Sequence, residues 1–221
     1  TIHVVDATTL QLIASCMDWA KHRRRKAAAQ CHLRLNLQSF LPRFAISDTA
    51  RQSDAQRARA VCADIQEGEI VIFDKAYVDF EHLSDVATRG VLWVTRAQEH
   101  RQATVSQVLP VKAGGQIVAD ELIELKNAGS QKAYPKVMRR MVAWVEVDGQ
   151  ERLMTLITNQ LTWSAESGVA LYRCRWSIEV FFKQLKQTLQ LGDFLGTSAN
   201  AVRWQVWIAR WVYVLSLLSG C

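Results

Sequence analysis

Paired cysteines, a signal segment, internal repeats and low-complexity tracts are all missing from this chain. Its five cysteines (16, 31, 62, 174 and 221) are scattered, odd in number and never spaced as CxxC. They indicate neither a disulfide framework nor a zinc site, and suit a reducing cytoplasm. No basic-plus-apolar segment opens the sequence, and the apolar stretch 202–218 carries Arg203 and Arg210 and is only 17 residues long. It reads as a core helix, too short and too charged to be a membrane span.

What is present is a globular composition: 221 residues, 49% hydrophobic and 22% charged, with eight Trp. That is enough chain for one domain with a core, or one domain carrying an insertion. A net charge of +6 favours a polyanionic partner, nucleic acid first. The chain opens on Thr1 rather than Met and stops at Cys221. The expectation is that something upstream is missing.

Residues 1–5 read as a strand ending in Asp6, and an acid at the exit of a buried strand is costly unless paired or metal-bound. The bland alternative is an N-cap. A basic run, Lys21 to Lys26, follows the mixed apolar stretch 10–19 and is a solvated face or a phosphate contact. Period-two alternation predicts a strand over 31–37, with 41–46 as its hairpin partner. A helix over 48–67 would bury Ala58, Val61, Cys62 and Ile65. The apolar run 69–73 predicts a buried strand that again ends in an acid, Asp74. A helix over 80–88 and a strand over 91–95, ending in Arg96, come next. Residues 102–158 then change texture, with strands over 104–111, 116–125, 136–147 and 152–158 and an Asp148-Gly149 hairpin. Lys132, Lys136, Arg139 and Arg140 make that stretch locally basic, and Trp144 and Trp163 read as core.

The stretch 171–191 reads as one helix. Wound at about 100° per residue, it buries Leu171, Ile178, Phe181, Phe182, Leu185 and Leu189. Beside that face fall Tyr172, Arg175, Glu179, Lys183 and Lys186, a carboxylate flanked by cations. The bland alternative is ordinary i, i+4 charge pairing.

The spacing Tyr172-x2-Arg175-x3-Glu179-x6-Lys186 resembles the signature of the DDE transposases of the large bacterial insertion-sequence-four family. Asp74-Lys75-Ala76-Tyr77 with Asp79-Phe80-x2-Leu83 resembles that family's second acidic motif. Trp19, Ala20, Lys26 and His32 fit its segment after the first acid, and 198–207 resembles its closing helix. Arg96 matches a Val-x-Arg-x-Lys pattern whose Lys position holds Gln98, and Met154 stands where some relatives carry a base-stacking aromatic.

The resemblance implies an α/β fold with an RNase H-like core in two parts, 1–101 and 161–221, and a β-rich insertion over 102–160. The family's N-terminal DNA-end-recognition domain would be absent. It implies catalytic, metal-holding Asp6, Asp74 and Glu179. Three converging carboxylates repel unless cations sit among them, and two Mg²⁺ roughly 3.5–4 Å apart, with Mn²⁺ able to substitute, meet that need. DNA contacts would come from Tyr172, Arg175, Lys186, Arg96, Lys75, Lys26 and His32. The implied activity is cut-and-paste transposition through a hairpin intermediate, on double-stranded DNA, by a homodimer in a synaptic complex. The protein would be cytoplasmic, joining the nucleoid when bound. The alternatives are an RNase H-like nuclease outside transposition and an inactive DNA-binding remnant. Without the upstream domain, residues 1–221 alone should transpose poorly.

Overall fold

The computed structural model describes residues 1–12, 21–22, 26–49, 54–98, 102–147 and 149–189, together with 198, 200, 201, 204, 207, 208, 211, 212 and 215. In chain order the strands and helices are β1 (Ile2–Leu12), β2 (Lys21–His22), β3 (Lys26–Asn36), β4 (Pro42–Thr49), α1 (Asp54–Val61), β5 (Ile70–Phe73), α2 (Phe80–Thr88), β6 (Leu92–Arg96), β7 (Ala103–Val108), β8 (Ile117–Leu125), α3 (Ala128–Ala133), β9 (Met138–Val147), β10 (Gln150–Thr158), α4 (Ala165–Arg173) and α5 (Trp176–Leu189). The chain divides into two compact units, Thr1–Val4 with Asp64–Arg175 and Val5–Ala63 with Trp176–Cys221.

The first unit is a mixed sheet in the order β1, β5, β6, β10, β9, β8, β7. β5 has no polar side chain to offer solvent, and Val71, Ile72 and Phe73 are fully buried. It pairs in parallel with β6, so the chain must cross over between them, and α2 makes that crossover. Asp79 caps α2 by accepting the His82 amide at 3.1 Å, while Leu83 and Val86 turn into the core. Beyond β6 every pairing is antiparallel, from β10 through β9 and β8 to β7. Gly149, at φ 72°, sits in the β9–β10 turn in the left-handed region that a glycine enters without strain. The run Asn127-Ala-Gly-Ser opens α3. Asn127 accepts the Gly129 amide, and a side chain that starts a turn can equally cap a helix.

In the second unit β3 pairs with β1, β2 and β4. The expected β3–β4 hairpin is present and longer at both ends, with Asn36 accepting the Gln38 amide at 2.9 Å in its turn. Ala58, Val61 and Cys62 are buried as expected, and Asp48 and Thr49, expected in the same helix, belong instead to β4. Arg34, 1% exposed, donates to the Val61 carbonyl at 3.0 Å and so ties β3 to the end of α1.

Four expectations need correction. Strand β1 continues to Leu12, which puts Asp6 inside a strand rather than at its exit. The stretch 171–191, described as far as Leu189, is divided between two helices. The amides of Cys174 and Arg175 bond back three residues, to Leu171 and Tyr172, and this tightened turn ends α4 before α5 starts. Trp144 is 45% exposed on β9, beside Leu153 of β10, and is not core. In the stretch 202–218, expected as a core helix, the described large side chains stand exposed. Among the described residues no helix is long and apolar enough to cross a membrane.

Candidate active site

Parallel pairing aligns Phe73 with Thr95, so Asp74 and Arg96 follow side by side as the chain leaves β5 and β6. Alternation along each strand sends Phe73 to the side of α2, where its ring meets Tyr77 and His82, and Asp74 to the other. On the sheet, α4 contacts β6, β8 and β9. Ser164 starts α4, its Oγ accepting the Ser167 amide at 3.1 Å. Gly168 lets the helix lie close, since a Cβ there would stand 2.7 Å from Met141 Sδ. The stretch 164–168 thus both caps the helix and sets its close approach to Met141 of β9.

Close packing of α4 puts Tyr172 into the core at 2% exposure. Burial pushes its phenol up from the ordinary value. The charge of Arg175 opposes the rise, that of Asp74 adds to it, and that of Arg96 opposes it, while Arg175 also donates a hydrogen bond to the phenolic oxygen. Four predicted site residues, from three separate stretches of the sequence, therefore share one electrostatic neighbourhood in the first unit. Asp74 stands at the N-cap position of the 3-10 turn Lys75–Tyr77, yet its side chain makes no capping hydrogen bond. Half-buried, oxygen-only and not spent on the cap, this carboxylate fits a ligand for a hard divalent cation. Lys75 is exposed beside it.

The remaining predicted residues lie in the second unit. Asp6 is half-buried, and its Oδ1 accepts the Ala7 amide at 2.8 Å. Glu179 is exposed in the first turn of α5, where the helix dipole favours an acid, and Lys186 lies in its last turn. Lys26 opens β3, and residues 23–25 of the basic run, with Trp19 and Ala20, fall outside the described residues. His32 is 1% exposed, and its pKa is lowered to about 4 by burial and by the charge of Arg57. A neutral, enclosed ring offers a phosphate no positive charge, so the expected DNA contact at His32 is corrected to a place in the core. Neither unit by itself groups three His, Cys, Asp or Glu side chains for a metal ion among its described residues.

Two of the four basic residues counted over 132–140 are spent internally. Arg139 pairs with Asp120 through Nε and Nη2, at 2.7 and 2.5 Å, and Arg140 pairs with Glu121. Nothing in β8, which also carries Glu121 and Glu124, singled out Asp120 as the partner in the first pair.

A mixed α/β sheet, with α4 across one face and an acid and an arginine leaving its parallel strands together, fits the RNase H-like core of a transposase. Residues 1–215 match the Transposase DDE domain family, and the chain belongs to it. The y4zB protein of Sinorhizobium fredii, named as a transposase, is 31% identical over 99% of this chain and 61% of its own length. A Geobacillus stearothermophilus protein, named as the transposase of insertion sequence element IS5377, is 25% identical over 97% of this chain and 55% of its own. The chain thus spans less than two thirds of either relative. A piggyBac transposase, solved as a synaptic complex with hairpin DNA, superposes with a TM-score of 0.54 at 7% identity, over 94% of this chain and 45% of its own. At that identity the likeness concerns the fold alone.

Proposed function

We propose that this chain carries the catalytic core of a DNA transposase of the insertion-sequence-four kind, which cuts transposon ends and joins them to target DNA. The observation that carries the proposal is the neighbourhood of Asp74, Arg96, Tyr172 and Arg175. It sets a carboxylate suited to a divalent cation among guanidiniums suited to phosphate, which is what phosphoryl transfer on a polyanion requires.

Asp74 would hold metal together with Asp6 and Glu179, two Mg²⁺ in all, with Mn²⁺ as substitute. When bound, the ions would lower the pKa of an attacking water or 3′-hydroxyl and stabilise the leaving oxygen. The protein's own part is to bind and orient. Arg96 and Arg175 offer forked, bidentate donors to phosphates, and Tyr172 holds Arg175 from within the core. Lys75, Lys186 and Lys26 add point charges along the strand. In this proposal the strands 102–160 are an insertion in the RNase H-like core, a hairpin forms at each cut end, and two copies bring the ends together on nucleoid DNA in the cytoplasm.

The test is a Mg²⁺-dependent assay on pre-cut transposon-end oligonucleotides, comparing wild type with Asp74→Asn and Glu179→Gln. Each substitution should lower strand transfer about a hundredfold or more while DNA binding persists, the scale of losing a group that acts on the transition state. Strand transfer at the wild-type rate in Asp74→Asn would sink the proposal. Cleavage without any joining would indicate a nuclease, and binding with neither joining nor cleavage an inactive remnant.

A further inference from the structure

We infer that the open face of the β9–β10 hairpin docks a basic, amphipathic segment of another protein. Residues paired across an antiparallel ladder point to the same side of the sheet, so Val142 with Thr155, Trp144 with Leu153 and Glu146 with Glu151 form successive rungs of one face. Exposure grows along them toward the turn. Val142 and Thr155 are half-buried, Trp144 and Leu153 are 45% and 52% exposed, and both glutamates are exposed. Val118, in the β8 bulge between the partners of Ala143 and Val142, is 49% exposed. An indole and a leucine are thus left to water directly beside two carboxylates.

Charge selects the occupant. Like charges placed directly opposite each other weaken a ladder, and no cation among the described residues pairs with Glu146 or Glu151. Arg140, further along the same side, is taken by Glu121. A phosphate backbone would be repelled here, although the chain as a whole carries +6. A Lys or Arg would instead lie over the Trp144 ring beside both carboxylates, gaining a cation–π contact and relieving the repulsion at once. Leu153 and Val118 call for an apolar neighbour next to that cation. Two residues of a strand rise about 7 Å, so the partner presents an apolar and a basic side chain on one face at that spacing. Exposed Trp is the residue type that most often carries the binding energy of an interface, and a rung that works against folding is found where a partner supplies the compensation.

The inference does not depend on the strand-transfer chemistry, and its test uses the 221-residue chain without any cleavage. The probe is a fluorescent synthetic peptide repeating Leu-Ser-Arg-Ser, whose extended form sets Leu and Arg on one face at the rung spacing, with a Leu-Ser-Glu-Ser repeat as its counterpart. The Arg peptide should bind and the Glu peptide should not. Trp144→Ala should weaken the Arg peptide about tenfold or more. Glu146→Gln combined with Glu151→Gln should weaken it as much while raising the melting temperature, because the like-charge rung is relieved, whereas a loss of binding through unfolding would lower it. Val111→Ser, exposed but away from the hairpin, should leave the affinity unchanged. Binding that ignores Trp144→Ala or the double glutamine variant overturns the inference, as does equal binding of the two peptides or no binding of either. Protection of Trp144 from hydroxyl radicals by duplex DNA rather than by the Arg peptide also overturns it and gives the face to nucleic acid.

Discussion

Replacing Arg139 by Met tests what fastens the strand-rich stretch to the start of α4. The side chains of Arg139 and Asp120 are 5% and 4% exposed, so the pair is cut off from water. Besides its two bonds to the carboxylate, the guanidinium donates through Nη1 to the carbonyls of Leu161, at 3.4 Å, and Trp163, immediately before the Ser164 cap. Met retains much of the volume but leaves a buried carboxylate unpaired and two carbonyls without their donor. Breaking a buried pair from one side costs about 3–5 kcal/mol, because the surviving charge remains desolvated. A carbonyl that finds no water adds about 1–3 kcal/mol. Against a total stability of roughly 5–15 kcal/mol for a typical domain, the loss is large. Asp120→Leu combined with Arg139→Met removes both charges, so the double variant should be more stable than Arg139→Met alone. Urea unfolding of the wild type, both single variants and the double variant would close the cycle, with an expected coupling of about 2 kcal/mol or more. A loss below about 1 kcal/mol in Arg139→Met, or strictly additive single changes, would refute the reasoning, since neither is compatible with a desolvated, mutually dependent pair.

Two further outcomes follow from single side chains. Ser164→Ala should cost about 1 kcal/mol in a thermal melt by stranding the Ser167 amide, whereas Ser164→Asp should retain most of the stability. His32, with its folded pKa near 4 against an ordinary 6.5, binds a proton more readily in the unfolded chain. Its contribution is therefore complete above about pH 6.5 and is lost as the pH falls toward 4, and His32→Phe should flatten that limb of a melting-temperature profile. An unchanged profile would mean that the ring is not held neutral by its surroundings.

Much of the first unit could be read residue by residue. The apolar run ending at Phe73, the α2 periodicity and the alternating strands up to Thr158 each appear within a few residues of where they were expected. Asp74 and Arg96 were legible for the same reason, as the first charged residues that follow apolar strand stretches. The break at Cys174 was not legible, because neither glycine nor proline marks it and the apolar period runs straight through. Arg139 read as a surface base because its partner lies across a strand pairing that sequence order does not show. The Trp-rich stretch read as core because hydrophobicity says that a face wants cover, not which surface provides it.

What the amino-acid order determined by itself was local: which stretches wind or extend, where charge interrupts apolar pattern, and a spacing that resembles a transposase signature. Those follow from steric preference and from periods of two and 3.6 residues, which act over a few positions. The tertiary structure alone decided that Tyr172 is enclosed within the field of Asp74 and Arg96, that Asp74 and Arg96 stand side by side at the ends of paired strands, and that Asp120 neutralises Arg139. Each of these depends on strand pairing and helix docking between segments distant in the chain, where the free energy comes from excluding water rather than from any neighbour in sequence.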